Sequence, residues 1–348
     1  MTVLEIVTFF RKYLNRLLFL DKMYITRALL TDSMATIRDH LLHIHGLPII
    51  HSESYVCGLP PKHRFQMGKF RGVFNRLVRD KVIEPRQQVL EPSQISKELA
   101  GLAHSKEYVD RFFSGDTSAD EQRRTGFKWT HGLCSRVRFE CGGTLLAAMV
   151  CLERGLAAST GGGTHHAGPD YGSGYCLLND LSITSAVLLY LGLVRRVLIV
   201  DLDVHQGDGT ALMFNNDPSV FTFSMHCQSN FPFRKQPSDL DIGLADHVGD
   251  AEYLSTLEDV LPSLLDQVRP DLVLYDAGVD PHVDDDLGKL DLTDDGLYQR
   301  DEYVLGTCVR RGVPVCSVIG GGYHNDLDIL SARHSIVHRA ASKVWGRR

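Results

Sequence analysis

Carboxylates and a histidine follow directly on a short apolar run near the middle of the chain. Residues 201–209 read DLDVHQGDG and come after VLIV at 197–200. Because alternate side chains of an extended segment point to opposite faces, Asp201, Asp203 and His205 should share one side. Carboxylate and imidazole groups at this spacing can supply two ligands of one divalent metal ion. A solvated turn rich in Asp and Gly is the alternative interpretation.

A third metal ligand has to come from another segment, and residues 275–288, YDAGVDPHVDDDLG, offer several aspartates. Asp280 is the favoured candidate because it stands just beyond an apolar, strand-like run, and Asp276 is an alternative. Asp284–Asp286 are interpreted as a solvated acidic turn. Two aspartates and one histidine would leave an open coordination position, as a catalytic zinc site requires.

Two adjacent histidines stand in a glycine-rich segment upstream. Residues 161–180 read GGGTHHAGPDYGSGYCLLND, so glycines precede and follow His165 and His166. Glycines can bend the backbone until both rings reach one cleft, although a pair of surface or core histidines is the commoner alternative. A histidine that works as an acid or base needs a carboxylate on its far nitrogen, and Asp201 and Asp208 are available for this role.

A further glycine-rich segment, GGGYHND at 320–326, contains Tyr323. A tyrosine hydroxyl beyond flexible glycines can donate a hydrogen bond to a developing oxyanion. The alternative is a glycine turn with an incidental tyrosine. Metal ligands, paired histidines and an oxyanion donor are together the components of metal-assisted hydrolysis.

The elements that must hold these residues are short strands that alternate with helix-like segments. Leucines recur at three- and four-residue spacing at 143–154 and 253–268, which predicts helices. Strands are predicted at Val197–Val200, Val220–Ser224, Leu272–Tyr275 and Val313–Ile319. This alternation predicts an α/β fold with a mostly parallel sheet. Polar residues and glycines follow each strand, which is where open α/β sheets bind their ligands.

Composition narrows the possible functions. The 348 residues carry 37 basic and 43 acidic side chains, a formal charge of −6, which offers no basic surface for direct nucleic-acid binding. No run of about 18 apolar residues predicts a membrane span. Eight cysteines without a CxxC pair predict reduced thiols, and we expect a nuclear or cytoplasmic location. Residues 47–348 are predicted to form one catalytic domain, and residues 1–46 an amphipathic helical appendage or a targeting segment.

In this combination the motifs resemble those of the zinc-dependent histone deacetylase family, most closely its class IV and bacterial-type branch. GGGTHHA, SGYCLLND, VLIVDLDVHQGDGTA, AGVDPH, DDLGKL and GGGY occur in the family's order between about residues 47 and 338. The resemblance implies a single-domain, three-layer α/β/α fold with an open, mostly parallel sheet. Gln206 stands where the better-known classes have a second histidine, and glutamine there indicates the class IV branch.

The resemblance also implies a role for each site residue. The metal ligands would be Asp203, His205 and Asp280. The acid/base pair would be His165 and His166, their carboxylate partners Asp201 and Asp208, and the oxyanion donor Tyr323. An acyl-lysine channel would be formed by Gly174, Tyr175 and either Phe231 or Phe233. Arg64 would stand at an acetate cavity. A monovalent-cation site would be formed by Asp201, Asp203, His205, Ser224 and Met225.

The activity that the resemblance implies is hydrolysis of N6-acetyl-lysine amides in histones or other proteins. Zn²⁺ is the expected catalytic metal, although this oxygen-rich ligand set also accepts Fe²⁺, and K⁺ is expected as a structural cation. A small acylated amine such as an acetylpolyamine is an alternative substrate, and a catalytically inactive scaffold is a less favoured interpretation. No counterpart of the family's rim aspartate is found, so the sequence leaves peptide recognition and corepressor-type partners open.

Overall fold

One sheet of parallel strands organises the fold. The computed structural model describes residues 38–39 and 41–348. Within them the sheet consists of β1 (Ile49–Ile50), β2 (Val89–Leu90), β3 (Leu156–Ser159), β4 (Val197–Asp201), β5 (Val220–Cys227), β6 (Leu240–Leu244), β7 (Leu272–Asp276) and β8 (Val315–Val318). The strands lie in the order β2-β1-β3-β8-β7-β4-β5-β6, and every neighbouring pair is parallel. The predicted α/β class with a parallel sheet is confirmed.

Helices connect most of the strands, since parallel neighbours need a crossover. In chain order they are α1 (Lys69–Arg79), α2 (Pro85–Gln88), α3 (Lys97–Ala100), α4 (Lys106–Ser114), α5 (Ala119–Thr125), α6 (His131–Arg154), α7 (Asp180–Leu191), α8 (Asp208–Met213), α9 (Asp250–Val268), α10 (Asp294–Arg310), α11 (Leu327–His334) and α12 (Ile336–Trp345). Helix α6 begins after Thr130, whose side chain accepts a hydrogen bond from Leu133 N, and it ends at Gly155 in the left-handed conformation.

The central strands β8, β7 and β4 are buried at every residue. Helices cover both faces of a parallel sheet, so its strands are apolar throughout and do not alternate. Helix α6 packs against β3 and β8, and α10 packs against β8 and α12. The apolar runs seen in the sequence are therefore the middle of the core.

The four predicted strands correspond to β4, β5, β7 and β8, each within a few residues of its predicted bounds. The other four strands were not predicted. β1 and β2 have two residues each, which is too short for a periodic signal. β3 reads LAAS and lacks β-branched residues, and the edge strand β6 reads LDIGL with part of its surface exposed.

The carboxyl ends of β3, β4, β7 and β8 meet at one edge of the sheet, because these strands are parallel and close together in the strand order. The chain leaves β3 into GGGTHH, β4 into LDVH, β7 into AGVD and β8 into IGGGY. All four motifs that the sequence singled out thus begin at this edge. This is the position at which an open α/β sheet binds a ligand.

The described chain forms one compact unit over Ile44–Arg348. The appendage predicted for residues 1–46 lies mostly outside the described residues. In the part of the chain that the structure describes, no helix is both long and apolar enough to cross a membrane. All eight cysteines fall in this part as free thiols, and seven of them are buried.

Candidate metal and catalytic site

Asp203, His205 and Asp280 come together at the ends of β4 and β7. His205 Nδ1 lies 3.0 Å from Asp203 Oδ1 and 3.1 Å from Asp280 Oδ2. All three residues are buried, and one potential ligand atom of each lies within 4.8 Å of the others. The loops are also joined directly, since Val204 N donates to Asp280 Oδ1 at 2.9 Å. The three predicted metal ligands are therefore adjacent, with their donor atoms facing one another.

The donor set suits a divalent metal ion. Two carboxylates and one imidazole are ligands that zinc and ferrous ions both accept. Two glycines leave the room that these groups occupy: a Cβ on Gly278 would lie 2.3 Å from Asp203 Oδ2, and one on Gly321 would lie 2.2 Å from Asp280 Oδ2. Any larger residue at either position would push a candidate ligand out of place.

The electrostatics of this cluster also favour a cation. Burial by itself lowers the pKa of His205, but hydrogen bonds to Asp203 and Asp280 raise it to about 10. The two carboxylates thus hold a proton on this imidazole far above its ordinary pKa. A metal ion would compete with that proton for the same nitrogen, which is the usual coupling between metal binding and protonation.

The two adjacent histidines each pair with a different carboxylate. His165 Nδ1 lies 2.8 Å from Asp201 Oδ2, and His166 Nδ1 lies 2.6 Å from Asp208 Oδ1. The ring centroids are 4.1 Å apart, and all four side chains are buried. In each pair the Nδ1–H donates to the carboxylate, so a neutral ring keeps Nε2 as its basic nitrogen. The predicted pairing of histidines and aspartates is what the structure shows.

Their surroundings give the two histidines opposite protonation states. Burial, together with the neighbouring His165, lowers the pKa of His166 to about 4. His165 is buried as well, but Asp201 and Asp203 raise its pKa well above the ordinary value. These pKa directions favour a neutral His166, which can act as a base, and a protonated His165.

Tyr323 lines the same cavity as the metal cluster and the histidines. Its ring centroid lies 6.4 Å from that of His205. Burial raises the pKa of Tyr323 well above its ordinary value, and Asp280 and Asp203 raise it further, so the hydroxyl keeps its proton. Asp285 fixes the backbone here, because its Oδ2 accepts a hydrogen bond from Tyr323 N at 2.7 Å.

Asp285 corrects the interpretation of Asp284–Asp286 as a solvated turn. Asp284 and Asp286 are exposed, but Asp285 is only partly so, and its Oδ1 accepts hydrogen bonds from Leu287 N and Gly288 N at 2.8 and 2.9 Å. Three backbone amides bind one carboxylate group, a local bonding pattern that a run of three aspartates in the sequence does not reveal.

The residues predicted for the channel place aromatic rings beside His166 and Tyr323. The ring centroid of Phe231 lies 4.9 Å from that of His166, and the ring centroid of Tyr175 lies 5.8 Å from that of Tyr323. Gly174 stands between them, and a Cβ there would lie 2.6 Å from His166 Cδ2. Of the two phenylalanines predicted for the opposite wall, Phe231 packs on the histidine, whereas Phe233 is 92% exposed.

The prediction for Arg64 at an acetate cavity is wrong. Arg64 is exposed and is not among the described residues that line the cavity. Lys69 and Arg136 line it instead, and both are buried. Arg136 pairs with Glu140 at 2.7 Å, and Lys69 Nζ donates to Gly320 O at 3.1 Å. The reason is that Arg64 stands in a loop with its side chain in solvent, whereas the helices α1 and α6 direct Lys69 and Arg136 inward.

The residues of the predicted monovalent-cation site lie close together as well. Asp201 and Ser224 are register partners in β4 and β5, and Met225 follows in the same buried strand. The cation site itself stays a prediction.

Gln206 makes contacts away from the metal cluster: its Nε2 donates to Asp241 Oδ1 at 2.7 Å and to Gln236 O at 2.6 Å.

Two further aspartates support the site without having been assigned to it. Asp180 accepts hydrogen bonds from Gly163 N and Thr164 N, which anchors the segment that leads into the histidines. Asp276 is the register partner of Asp201, and its carboxylate has no hydrogen-bond partner among the described residues. The sequence offered Asp276 only as an alternative metal ligand, and the structure places it behind His165, at 3.9 Å.

Comparison with known proteins agrees with this arrangement. The model of the histone deacetylase domain matches residues 63–338. An uncharacterized protein of Picosynechococcus sp. is 51% identical over 300 residues, covering 86% of this chain and 100% of that protein. Histone deacetylase 2 of Arabidopsis thaliana is 31% identical over 287 residues, covering 79% and 74%. The acetoin utilization protein AcuC of Staphylococcus aureus is 29% identical over 296 residues, covering 76% and 73%.

The fold comparison leads to the same family. The crystal structure of the HDA15 HD domain matches with a TM-score of 0.72 at 21% identity, covering 86% of this chain and 88% of that one. At this identity the match concerns the fold alone. The domain model, however, covers most of the chain, and the sequence relatives cover an equal or larger share of it. The chain belongs to the histone deacetylase family, a family of metal-dependent deacetylases.

Proposed function

We propose that the chain hydrolyses the amide of N6-acetyl-lysine in peptides or proteins with a catalytic Zn²⁺ or Fe²⁺ ion. The observation that carries this proposal is the His166–Asp208 hydrogen bond beside the Asp203, His205 and Asp280 cluster, with Tyr323 lining the same cavity. The candidate base, metal ligands and oxyanion donor therefore lie around one cavity. Hydrolysis of an amide requires all three functions.

Each side chain has a separate role in the proposed mechanism. A divalent ion held by Asp203, His205 and Asp280 would polarise the acyl carbonyl and lower the pKa of the attacking water. His166 accepts the proton of that water through Nε2, while Asp208 holds the ring in the required tautomer. Tyr323 donates its hydroxyl hydrogen to the oxyanion that forms.

The departing amine needs a proton, and His166 can return the one that it has taken. His165 stays protonated beside it and supplies positive charge close to the oxyanion, since Asp201 keeps its imidazolium in place. The two histidines thus divide the work, with His166 transferring the proton and His165 stabilising charge.

The cavity and its entrance favour a short acyl group. Phe231 and Tyr175 form walls suited to the apolar stem of a lysine side chain. Behind them the cavity is lined by the charged groups of Lys69, Arg136 and Glu140. A long alkyl chain placed there would desolvate charges without pairing them, which is costly. Acetyl is therefore the proposed acyl group, ahead of myristoyl.

A panel of acyl-lysine peptides tests this proposal. Purified protein loaded with Zn²⁺ or, without oxygen, with Fe²⁺ would be assayed on acetyl-, butyryl- and myristoyl-lysine forms of one peptide. We expect the highest kcat/KM for acetyl-lysine and loss of activity with a chelator, restored by the metal. A higher kcat/KM for myristoyl-lysine would contradict the acyl preference, and activity that survives complete metal removal would contradict the mechanism.

A small acylated amine is the second candidate substrate. The relative from Staphylococcus aureus is named for acetoin utilization and not for histones. The entrance that the structure describes is aromatic, and the exposed Arg64 stands between His63 and Phe65, whose rings both contact Tyr175. A cationic polyamine would meet positive charge there. We therefore expect acetyl-lysine peptides to be hydrolysed faster than acetylpolyamines under the same conditions.

The nuclear or cytoplasmic location, the lack of direct nucleic-acid binding and the class IV label stay predictions from the sequence. A structural K⁺ ion at Asp201, Asp203, His205, Ser224 and Met225 stays a prediction as well. Corepressor-type partners also remain open.

A further inference from the structure

A buried arginine joins the two loops that carry the candidate metal ligands. Arg300, in the second turn of α10, is fully buried. Its Nη1 donates to Leu202 O at 3.1 Å and to Gly278 O at 2.7 Å. Leu202 directly precedes Asp203, and Gly278 lies two residues before Asp280. One guanidinium nitrogen is therefore bonded to the backbone of both loops.

These two carbonyl groups stand where the sheet can no longer pair them. β4 ends at Asp201 and β7 ends at Asp276, so Leu202 and Gly278 lie just beyond the ladder. A buried carbonyl group without a donor costs free energy. Arg300 supplies that donor from a third element, and it does so for both loops at once. The rigid, planar guanidinium group thereby fixes the distance between the two loops.

The rest of the guanidinium is held in an enclosed network. Arg300 Nε donates to Asp301 Oδ1 at 2.9 Å, and Tyr275 OH donates to the same oxygen at 2.5 Å. Tyr253 OH donates to Leu202 O at 3.5 Å. All four of these side chains are buried. Residues from α9, α10 and β7 thus fix the orientation of a single arginine.

Stability alone gives little reason for this arrangement. Removing an arginine and an aspartate from water is costly, and apolar residues of similar volume often stabilise a fold equally well or better. What apolar residues cannot do is donate to two carbonyl groups in fixed positions. The two bonds to the ligand loops are therefore the distinctive contribution of Arg300.

We infer that Arg300 is a positioning residue that sets the spacing between Asp203 and Asp280 and so determines the affinity and geometry of the metal site. The inference rests on the metal centre of the proposed function. Ligands on separate loops bind an ion tightly only when the loops are already held at the correct distance. Arg300 does this through the backbone and touches neither metal ligand side chain.

The test compares metal affinity with the stability of the metal-free protein. In the double variant Arg300→Met with Asp301→Asn, the buried charges are removed together and the asparagine carbonyl still accepts from Tyr275. We expect its metal-free form to fold but to unfold at a somewhat lower denaturant concentration than the wild type, because Leu202 O and Gly278 O lose the Arg300 donor. Its dissociation constant for Zn²⁺, measured by competition with a chelating dye, should rise about 10- to 100-fold. The absorption bands of bound Co²⁺, which report coordination geometry, should also change.

Two single variants serve as controls. Val304→Ala removes a buried side chain one turn further along α10, so it should destabilise the fold and leave the Zn²⁺ dissociation constant and the Co²⁺ spectrum unchanged. Arg300→Lys keeps a charge and N–H donors but lacks the planar group that Asp301 holds in place, so an intermediate affinity is expected. This second variant also decides the matter if the double variant does not fold.

A double variant, or a lysine variant, with the wild-type dissociation constant and spectrum would overturn the role of Arg300. So would a loss of affinity in Val304→Ala that matches its loss of stability. Wild-type protein that binds no divalent ion would instead contradict the proposed function. The two failures are therefore distinguishable in one set of measurements.

Discussion

At the scale of single residues, the site depends on two neighbouring histidines in different surroundings. His165 and His166 follow one another in the chain, yet one is held as a cation and the other as a neutral base. Residue types and spacing alone do not distinguish the two rings, because the difference arises from carboxylates on other segments. Asp201 and Asp203 surround the first ring, whereas the second ring meets Asp208 and the charge of its neighbour.

The role of the tyrosine can be tested by removing a single oxygen. Tyr323→Phe should keep the fold and bind the metal, because the hydroxyl is not part of the metal cluster. Its kcat for acetyl-lysine peptide should fall about 100- to 1,000-fold, as expected for loss of one oxyanion donor. Tyr303→Phe, which removes a hydroxyl bonded to Glu258 O on the protein surface, is the matched control. Near wild-type turnover in Tyr323→Phe would exclude the assignment.

Several site residues could be predicted individually because strand alternation and glycine-rich turns leave local signals. Asp203 and His205 follow from the two-residue period, and His165, His166 and Tyr323 from their glycines. Lys69 and Arg136 left no such signal, since a cation in an amphipathic helix is usually on the surface. The assignment of Arg64 came from the resemblance, which matches a residue by its place in the sequence. Which basic side chain enters the cavity depends instead on how the helices pack.

At the scale of elements, the loops after the strands carry the chemistry and the glycines in them set its dimensions. The central strands were predictable because their apolar runs are continuous. The short strands β1 and β2 were not, since pairing with neighbours and not their own sequence defines them. The conformation of each loop could not be predicted from the sequence either, because Asp180 and Asp285 hold the loops through hydrogen bonds to backbone amides of distant segments.

A single methyl group in one of these loops should disturb the metal site. In Gly321→Ala the new Cβ would lie 2.2 Å from Asp280 Oδ2 and 2.6 Å from Asp203 Oδ2, so at least one carboxylate has to move. We expect Zn²⁺ affinity to fall about 10- to 100-fold. Gly58→Ala meets no atom within 4 Å and should leave the affinity unchanged. The Zn²⁺ affinities are measured by chelator competition. Equal affinities in the two variants would show that Gly321 does not limit the space for the metal ligands.

At the scale of the whole molecule, the fold buries histidines that must remain neutral. His104 is one of them: burial lowers its pKa to about 4, although two backbone carbonyl groups oppose the shift, and its Nε2 accepts a hydrogen bond from Asn179 N at 2.9 Å. In the unfolded chain the same ring has a pKa near 6.5. Because the unfolded state binds the proton first as pH falls, stability must decrease from about pH 6.5 towards pH 4.

Replacing this ring isolates its share of the acid sensitivity. In His104→Gln the amide oxygen can still accept from Asn179 N, but nothing titrates. Between pH 7.5 and pH 5 the metal-free wild type should lose roughly 2 kcal/mol more unfolding free energy than the variant. Urea unfolding at the two pH values measures this difference. Parallel losses in both proteins would show that His104 is not the group responsible.

The backbone conformation of Tyr175 bears on how the protein could be stabilised by substitution. Tyr175 has a φ of 64°, a left-handed conformation that costs a bulky residue about 1–2 kcal/mol. Glycine would adopt this conformation freely but would lose the ring contacts with Phe65, Phe127 and Tyr323. Under the proposed function this ring also lines the substrate channel, so variants selected for stability at this position should be screened for activity in every round.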